Sequence, residues 1–167
     1  MPSDAKLSYK FAYTPIETVD LSAYIGLTRY AFYYCDKLSS ITFNPNLTQI
    51  ENCAFYNCLS LTTISLPEAL STIGNYAFFK CPISNLRLPE TLTQMSGDVF
   101  YGHSTSSLTI PESYRGRLYT GAIKPNDNYT LNLTINGTPS DIAGSLERIT
   151  TLTLNTNVIM ASYITDN

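Results

Sequence analysis

The chain has 167 residues, of which 44% are hydrophobic and 14% are charged, and its formal net charge is −3. This length and apolar content suffice for one domain with a substantial core. The sparse, slightly acidic charge excludes the basic patches that bind nucleic acid or a membrane surface, and no stretch is long and apolar enough to span a bilayer.

Residues 1–15 form an N-terminal segment that ends in alternating aromatic residues. Tyr9, Phe11 and Tyr13 alternate with other residues, and this pattern predicts a strand that covers the first coil of the fold. The segment lacks the apolar core of a signal peptide. Since the repeats described next begin almost at once, they leave little room for the polar cap that solenoids need, and we expect the chain to be a fragment of a longer protein.

From residue 16 onward, a phenylalanine recurs at a nearly fixed spacing, preceded by alanine or valine. The steps between successive members are 23, 23 and 22 residues for Phe32, Phe55, Phe78 and Phe100. A triplet of apolar, polar and apolar residues follows each of them by eight or nine positions. Such triplets occupy residues 19–21, 41–43, 64–66, 86–88, 108–110, 131–133 and 152–154. Each triplet predicts a short strand whose middle residue points outward.

A fixed period of this length is the sequence signature of a solenoid. One strand per period is too sparse for hairpins, so each repeat should form one coil that buries its apolar face against the next coil. The predicted fold is a right-handed coil with a parallel β-sheet of six or seven short strands on one face and short 3₁₀ or α turns or loops on the other. Column Thr28, Glu51, Gly74 and Ser96 contains a single glycine, so we expect right-handed or 3₁₀-like bends there.

Beyond residue 111 the repeat weakens. Tyr114, Leu118 and the pair Ala122-Ile123 stand where the motif residues should be, and residues 141–149 are the best helix candidate, with Ser140 or Asp141 as the N-cap. We therefore divide one continuous domain into an N-terminal segment at 1–15, regular repeats at 16–111 and an irregular C-terminal cap of degenerate repeats at 112–167.

The most regular repeat reads I-x-L-P-E-x-L-x-x-I-G-x-x-A-F-x-x-C over residues 64–81, with close variants over 41–58 and 86–100. This pattern resembles the BspA-like class of leucine-rich repeat over about residues 16–111. The resemblance implies a non-catalytic module for protein–protein interaction or adhesion, located at a cell surface or secreted, with a protein or extracellular-matrix ligand. An alternative is a carbohydrate-binding or spacer module appended to a larger secreted enzyme. No nucleic acid, membrane insertion or cofactor is implied, and a monomer is favoured.

Three cysteines, Cys35, Cys58 and Cys81, occupy one column of the repeat. Equivalent atoms of adjacent coils lie about 5 Å apart, which is within the range for a disulfide. Three residues in one column cannot all pair, however, and a buried cysteine behaves as a small hydrophobe. We predict free core thiols, with Cys53 outside the column. With one histidine and no paired CxxC motif, the sequence predicts no zinc site.

Glu68, Glu90 and Glu112 also form a column, each directly after a proline. Such a column could hold calcium or provide the carboxylate pair of a glycosidase, but solvated Pro-Glu turns are the simpler interpretation. His103 lies in a Gly-His-Ser break, and without a G-x-S-x-G motif we interpret it as solvated polar surface rather than as a catalytic base. No catalytic or metal-binding residue is predicted.

Two surfaces compete as the binding site for a partner. The first is the aromatic column directly after the core phenylalanines, made of Tyr33, Tyr56, Phe79 and Tyr101. It forms either an exposed stripe or a brace packed between coils. The second is the strand face around Thr63, Ser65, Asn85 and Arg87, which alternatively is only a soluble sheet face. Because rings supply a large contact area at low entropic cost, we predict that the aromatic column is the stickier surface.

Overall fold

A computed structural model describes residues 9–137, 139–143 and 149–155. Its extended segments stack in parallel, as the repeat predicts. The strands are β1 Thr18–Leu21, β2 Ser40–Phe43, β3 Gln49–Ile50, β4 Thr72–Ile73, β5 Gln94–Met95, β6 Ser107–Ile110, β7 Arg117–Tyr119, β8 Leu131–Ile135, β9 Asp141–Ala143 and β10 Ile149–Leu154. One 3₁₀ helix occupies Thr120–Ile123. The predicted solenoid with parallel strands and almost no helix is confirmed.

The strands form two lines along the solenoid. One line contains the pair β1–β2 and the sheet β6–β8–β10, which coincide with predicted triplets. The other line contains the sheet β3–β4–β5 and the pair β7–β9, and the sequence analysis did not predict it. Its register advances by one repeat per strand, because Ile50 pairs with Ile73 and Ile73 pairs with Met95.

Two predicted strands, at 64–66 and 86–88, are not formed. The Ile64 N–H donates to Oδ1 of Asn85 at 2.9 Å, and Nδ2 of Asn85 donates back to the Ile64 carbonyl at 3.2 Å. The Leu86 N–H donates to Oγ1 of Thr105 at 3.1 Å. Side-chain oxygens thus compete with the backbone partners that a regular ladder would use. The middle residues of these triplets, Ser65 and Arg87, are still exposed as predicted.

The core of the solenoid is a continuous stack of phenylalanine rings. Neighbouring rings are nearly parallel, and their centroids lie 5.1–5.3 Å apart, from Phe11 through Phe32, Phe55 and Phe78 to Phe100. The last four are fully buried. Burying one such side chain stabilises the fold by about 1.5–3 kcal/mol, and these four phenylalanines are among the largest fully buried side chains of the described residues.

The turns around these phenylalanines are left-handed, whereas the column Thr28, Glu51, Gly74 and Ser96 has no positive φ, as expected. Two positions in each coil, two residues before and two residues after the phenylalanine, have φ between 53° and 62°, or 89° at Gly102. The first set is Tyr9, Tyr30, Cys53, Tyr76 and Asp98, and the second is Tyr13, Tyr34, Asn57, Lys80 and Gly102. The single glycine considered in the sequence analysis, Gly74, belongs to a neighbouring column that has no positive φ. Its presence therefore gave no information about the backbone at these two positions.

Hydrogen bonds between coils hold the left-handed residues in place. The Tyr34 N–H donates to the Tyr56 carbonyl and the Asn57 N–H to the Phe79 carbonyl, each at 2.8 Å. A left-handed conformation costs an ordinary residue about 1–2 kcal/mol. The inter-coil bonds recur at this position in successive coils and offset that cost.

Both ends of the described chain correct the sequence analysis. Tyr9, Phe11 and Tyr13 do not form a strand but a further copy of the turn, in which the Tyr13 N–H donates to the Tyr33 carbonyl at 2.8 Å. The start of the predicted helix is strand β9, which pairs with β7, and residues 144–148 lie outside the described residues. The predicted motif replacements, which are Tyr114, Leu118, Ala122 and Ile123, are buried. The division of the domain at residues 15 and 111 stays a prediction.

Candidate functional site

The predicted aromatic column forms a ladder of stacked rings. The centroid of Tyr56 lies 5.0 Å from that of Tyr33 and 4.8 Å from that of Phe79, and Phe79 lies 5.0 Å from Tyr101. All four rings are half-buried. The column is therefore a brace between coils that also keeps part of its surface in contact with solvent, so the structure combines the two interpretations.

Exposed tyrosines flank this ladder. Tyr13, Tyr34 and Tyr76 are 69%, 37% and 42% exposed, and all three occupy left-handed positions of the turn. Tyr34 lies 5.4 Å from Tyr13 and 5.5 Å from Tyr56, and Tyr76 meets Phe79 edge-on at 5.6 Å. We call these three rings together with the ladder the aromatic face. The sequence analysis missed them, although their fixed offset of two residues from the core phenylalanine marks them.

The tyrosine hydroxyl groups of the aromatic face are partly removed from water, and this raises the pKa of some of them. Burial, followed by the neighbouring Tyr34 and Tyr13 phenols, raises the pKa of Tyr33 to about 12. The Nζ atoms of Lys80 and Lys124 lie 5.6 Å and 5.5 Å from the ring centroids of Phe79 and Tyr101. Cation–π contacts of this kind contribute about 0.5–1 kcal/mol at exposed sites. The face thus presents neutral phenols edged by two ammonium groups.

The strand face offers less to a partner. Thr63, Ser65, Asn85 and Arg87 are exposed as predicted. Asn85 already binds the backbone of Ile64 through both polar atoms of its amide, and Arg87 forms an ion pair of 2.9 Å with Glu68. An exposed pair of this kind contributes only about 0–1 kcal/mol, but it occupies the strongest donor of this face. Small hydroxyl groups make up most of the remainder.

The cysteine column lies in the core. All four cysteines are free and buried, and each thiol of the column donates to a phenylalanine carbonyl of the preceding coil. These bonds join Cys35 to Phe11, Cys58 to Phe32 and Cys81 to Phe55 at 2.9, 3.3 and 3.0 Å. Burial raises the pKa of the Cys35 and Cys53 thiols. A nucleophilic cysteine needs a lowered pKa, so these thiols are structural.

His103 is buried, so its assignment to the surface in the sequence analysis was wrong. It follows Phe100 by three residues, as each cysteine of the column follows its phenylalanine, and it therefore occupies the same core position. Its side chain is fully buried. Nδ1 accepts the Thr105 N–H at 3.0 Å, and Nε2 lies 2.9 Å from the Ile123 carbonyl, to which it therefore donates. Desolvation lowers the pKa of the imidazole. His103 is a neutral core histidine that connects two coils.

Glu68, Glu90 and Glu112 are exposed, as their interpretation as turn residues predicts. Among residues 9–137, 139–143 and 149–155, no three His, Cys, Asp or Glu side chains come together as metal ligands. Within the same residues no helix has the length and hydrophobicity required to cross a lipid bilayer.

Comparisons with known proteins agree with this geometry. A family model described as "BspA type Leucine rich repeat region (6 copies)" matches residues 7–122. No curated protein matches the chain. A leucine-rich repeat protein of T. pallidum is 22% identical with a TM-score of 0.55, over 79% of this chain and 72% of that one. A leucine-rich repeat protein from Bacteroides ovatus is 16% identical with a TM-score of 0.60, over 88% of this chain and 45% of that one. At these identities the two structures show a shared fold.

Proposed function

Because the chain belongs to the BspA-type leucine-rich repeat family, we propose that it is a non-catalytic module that binds a protein partner through its aromatic face. Leucine-rich repeat proteins of this kind are typically non-catalytic, and the family is often surface-associated or secreted in bacteria. The proposed setting is a cell surface or the extracellular space, and the proposed partner is a protein, such as one of the extracellular matrix.

The exposed tyrosines on the stacked ladder are the observation that carries this proposal. Tyr34 and Tyr76 are fixed by neighbouring rings and by a strained backbone, so they lose little conformational freedom on binding. Aromatic anchors that are ordered before binding dominate many interfaces for this reason. The strand face lacks such anchors, since Asn85 and Arg87 are engaged within the chain.

The test uses substitutions that remove rings but keep the turn. Asparagine tolerates the left-handed conformation better than most residues, and Asn57 occupies the position of Tyr34 in the next coil. Tyr34→Asn with Tyr76→Asn therefore deletes two exposed rings and keeps residues that tolerate the left-handed turn, so the cost to folding is limited to the lost ring contacts. The matched control on the strand face is Thr63→Ala with Arg87→Ala.

Binding is measured by surface plasmon resonance against a panel of purified extracellular-matrix proteins. We expect the asparagine pair to weaken binding by about tenfold or more, which corresponds to about 1.4 kcal/mol, and the control pair to change it by much less. Thermal unfolding checks that both variants are folded. The proposal fails if no panel protein binds, or if the strand-face variant loses as much affinity as the aromatic variant.

A further inference from the structure

A groove lies between strands β5 and β7, outside both the aromatic face and the strand face. It encloses a volume of about 510 Å³, within the range of about 300–1,000 Å³ that is usual for ligand pockets. Its lining is mixed, with two amides, a hydroxyl, a guanidinium, a phenol ring and a bare backbone. These groups belong to Asn75, Gln94, Ser96, Arg117, Tyr119 and Gly97. We call it the β5–β7 groove.

The groove opens because a phenol is wedged into the second line of strands. Strands β3, β4 and β5 pair directly, whereas β7 belongs to another sheet. Between them, Oη of the buried Tyr114 accepts the Met95 N–H at 3.2 Å and donates to the Arg117 carbonyl at 2.9 Å. The side chain of Tyr114 thus bridges two strands that would otherwise pair through their backbones, and this separation creates the groove.

A missing side chain deepens the groove. In the preceding coils an asparagine ladder fills the corresponding space, since the Asn75 N–H donates to Oδ1 of Asn52 at 2.9 Å. Oδ1 of Asn75 in turn accepts the Gly97 N–H at 2.8 Å. Gly97 has no amide to continue the ladder. A Cβ atom there would meet only Oδ1 of Asn75, at an ordinary contact distance of 3.6 Å, so the space beside Gly97 is open.

We propose that the β5–β7 groove binds a hexopyranose unit of a glycan. The Gln94 amide, the Nδ2 group of Asn75 and the Arg117 guanidinium present several donors and an acceptor in planar, fixed geometry, which suits the adjacent hydroxyl groups of a sugar ring. Tyr119 is 39% exposed and supplies an aromatic surface for the apolar C–H groups of the same ring. Its side chain is held under the Arg117 guanidinium, which lies 5.3 Å from the ring centroid. The groove thus joins a polar wall to an aromatic contact in an open site.

The sharpest test fills the groove by extending the asparagine ladder. Gly97→Asn introduces the residue that the two preceding coils carry, and the φ of Gly97 lies outside the left-handed region. The variant should fold as well as the parent chain. Gly26→Asn is the matched control, because a Cβ at Gly26 meets nothing within 4 Å. Gln94→Ala is a second variant that removes one amide and leaves the backbone unchanged.

The parent chain is applied to an array of hexose-containing glycans, and bound glycans are titrated by isothermal calorimetry. We expect saturable binding that Gly97→Asn weakens by about tenfold or more, that Gln94→Ala also weakens, and that Gly26→Asn leaves unchanged. The asparagine pair on the aromatic face should leave glycan binding intact, which separates this proposal from the preceding one. The inference is overturned if no glycan binds, if binding survives both groove variants, or if the groove variants weaken only the binding of an extracellular-matrix protein.

Discussion

Replacing Phe55 by alanine should destabilise the solenoid more than the same replacement at the end of the phenylalanine stack. Phe55 is fully buried and packs against three rings. It stacks on Phe32 at 5.3 Å and on Phe78 at 5.1 Å, and it meets Phe43 edge-on at 5.8 Å. Phe100 is equally buried, but among the described rings of the stack its ring contacts only that of Phe78. In the next coil, Ile123 occupies the position of the phenylalanine, as the Phe100 N–H bond to the Ala122 carbonyl shows.

The size of the effect follows from these contacts. Truncating a buried phenylalanine to alanine costs about 3–5 kcal/mol, and each aromatic pair adds about 0.5–1.5 kcal/mol beyond its buried area. Phe55→Ala removes two more pairs than Phe100→Ala, so the difference between the two should be about 1–3 kcal/mol. For a chain of this size, 1 kcal/mol shifts the melting temperature by about 2–4 °C.

The assays are urea unfolding and thermal unfolding, both followed by far-ultraviolet circular dichroism, with the parent chain, Phe55→Ala and Phe100→Ala compared in parallel. Phe55→Leu is a further control, because it keeps most of the volume and removes only the ring contacts. Equal destabilisation by the two alanine variants would refute the additive contribution of the stack. A change of less than one degree in the melting temperature of Phe55→Ala would contradict the repeat frame itself.

Three further predictions concern side chains outside the stack. All four cysteines should react slowly with a thiol reagent in the native state and titrate completely in denaturant without reductant, because they are buried and free; a shortfall of two thiols would indicate a disulfide. The pKa of His103 is lowered from its usual 6.5, so its contribution to stability is present above pH 6.5 and is lost as the pH falls through the lowered value. His103→Asn, whose Oδ1 can still accept the Thr105 N–H, should remove this part of the acid destabilisation measured by urea unfolding, and an unchanged pH profile would contradict the assignment. Lys80 has a φ of 57°, so Lys80→Gly should be neutral or stabilising in thermal unfolding while Lys80→Val should cost about 1–2 kcal/mol or more; the opposite order would show that the left-handed turn is absent.

The sequence predicts the coil and its core because both depend on spacing. The step from Phe55 to Phe78 places the two rings in register, and the outward position of Ser65 follows from the alternation in its triplet. The thiols of Cys58 and Cys81 were predicted correctly as free and buried, since three thiols in one column cannot all pair.

The features that the sequence did not predict arise where a polar side chain, instead of a backbone carbonyl, accepts a hydrogen bond from a backbone N–H group. Asn85 and Thr105 intrude on two strands of the regular ladder, and Tyr114 separates β7 from β5. Hydropathy patterns describe which faces are apolar, but they do not say which polar side chain will turn inward to meet an N–H group. The same reason explains why His103 was assigned to the surface and why the β5–β7 groove was not foreseen.

The aromatic face was predicted in part. The column of Tyr33 and Tyr56 was identified from its period, whereas the contribution of Tyr34 and Tyr76 depends on their left-handed backbone. A non-glycine residue with positive φ is uncommon, and composition did not indicate two of them in each coil. Whether this surface is the binding site stays a prediction that the paired substitutions above test.

The uniform stack from Phe11 to Phe100 has a consequence for how such a protein can change its length. Each coil meets its neighbours at the same ring spacing, 5.1–5.3 Å, so a tandem duplication of one repeat in the gene would insert a coil whose upper and lower surfaces already match. No compensating mutation is required, since the inserted coil presents to each neighbour the same surface that the neighbour packed against before. Each duplication would also add one ring to the ladder of Tyr33 and Tyr56. Recombination between repeats could therefore lengthen or shorten the aromatic face in discrete steps without redesigning the core.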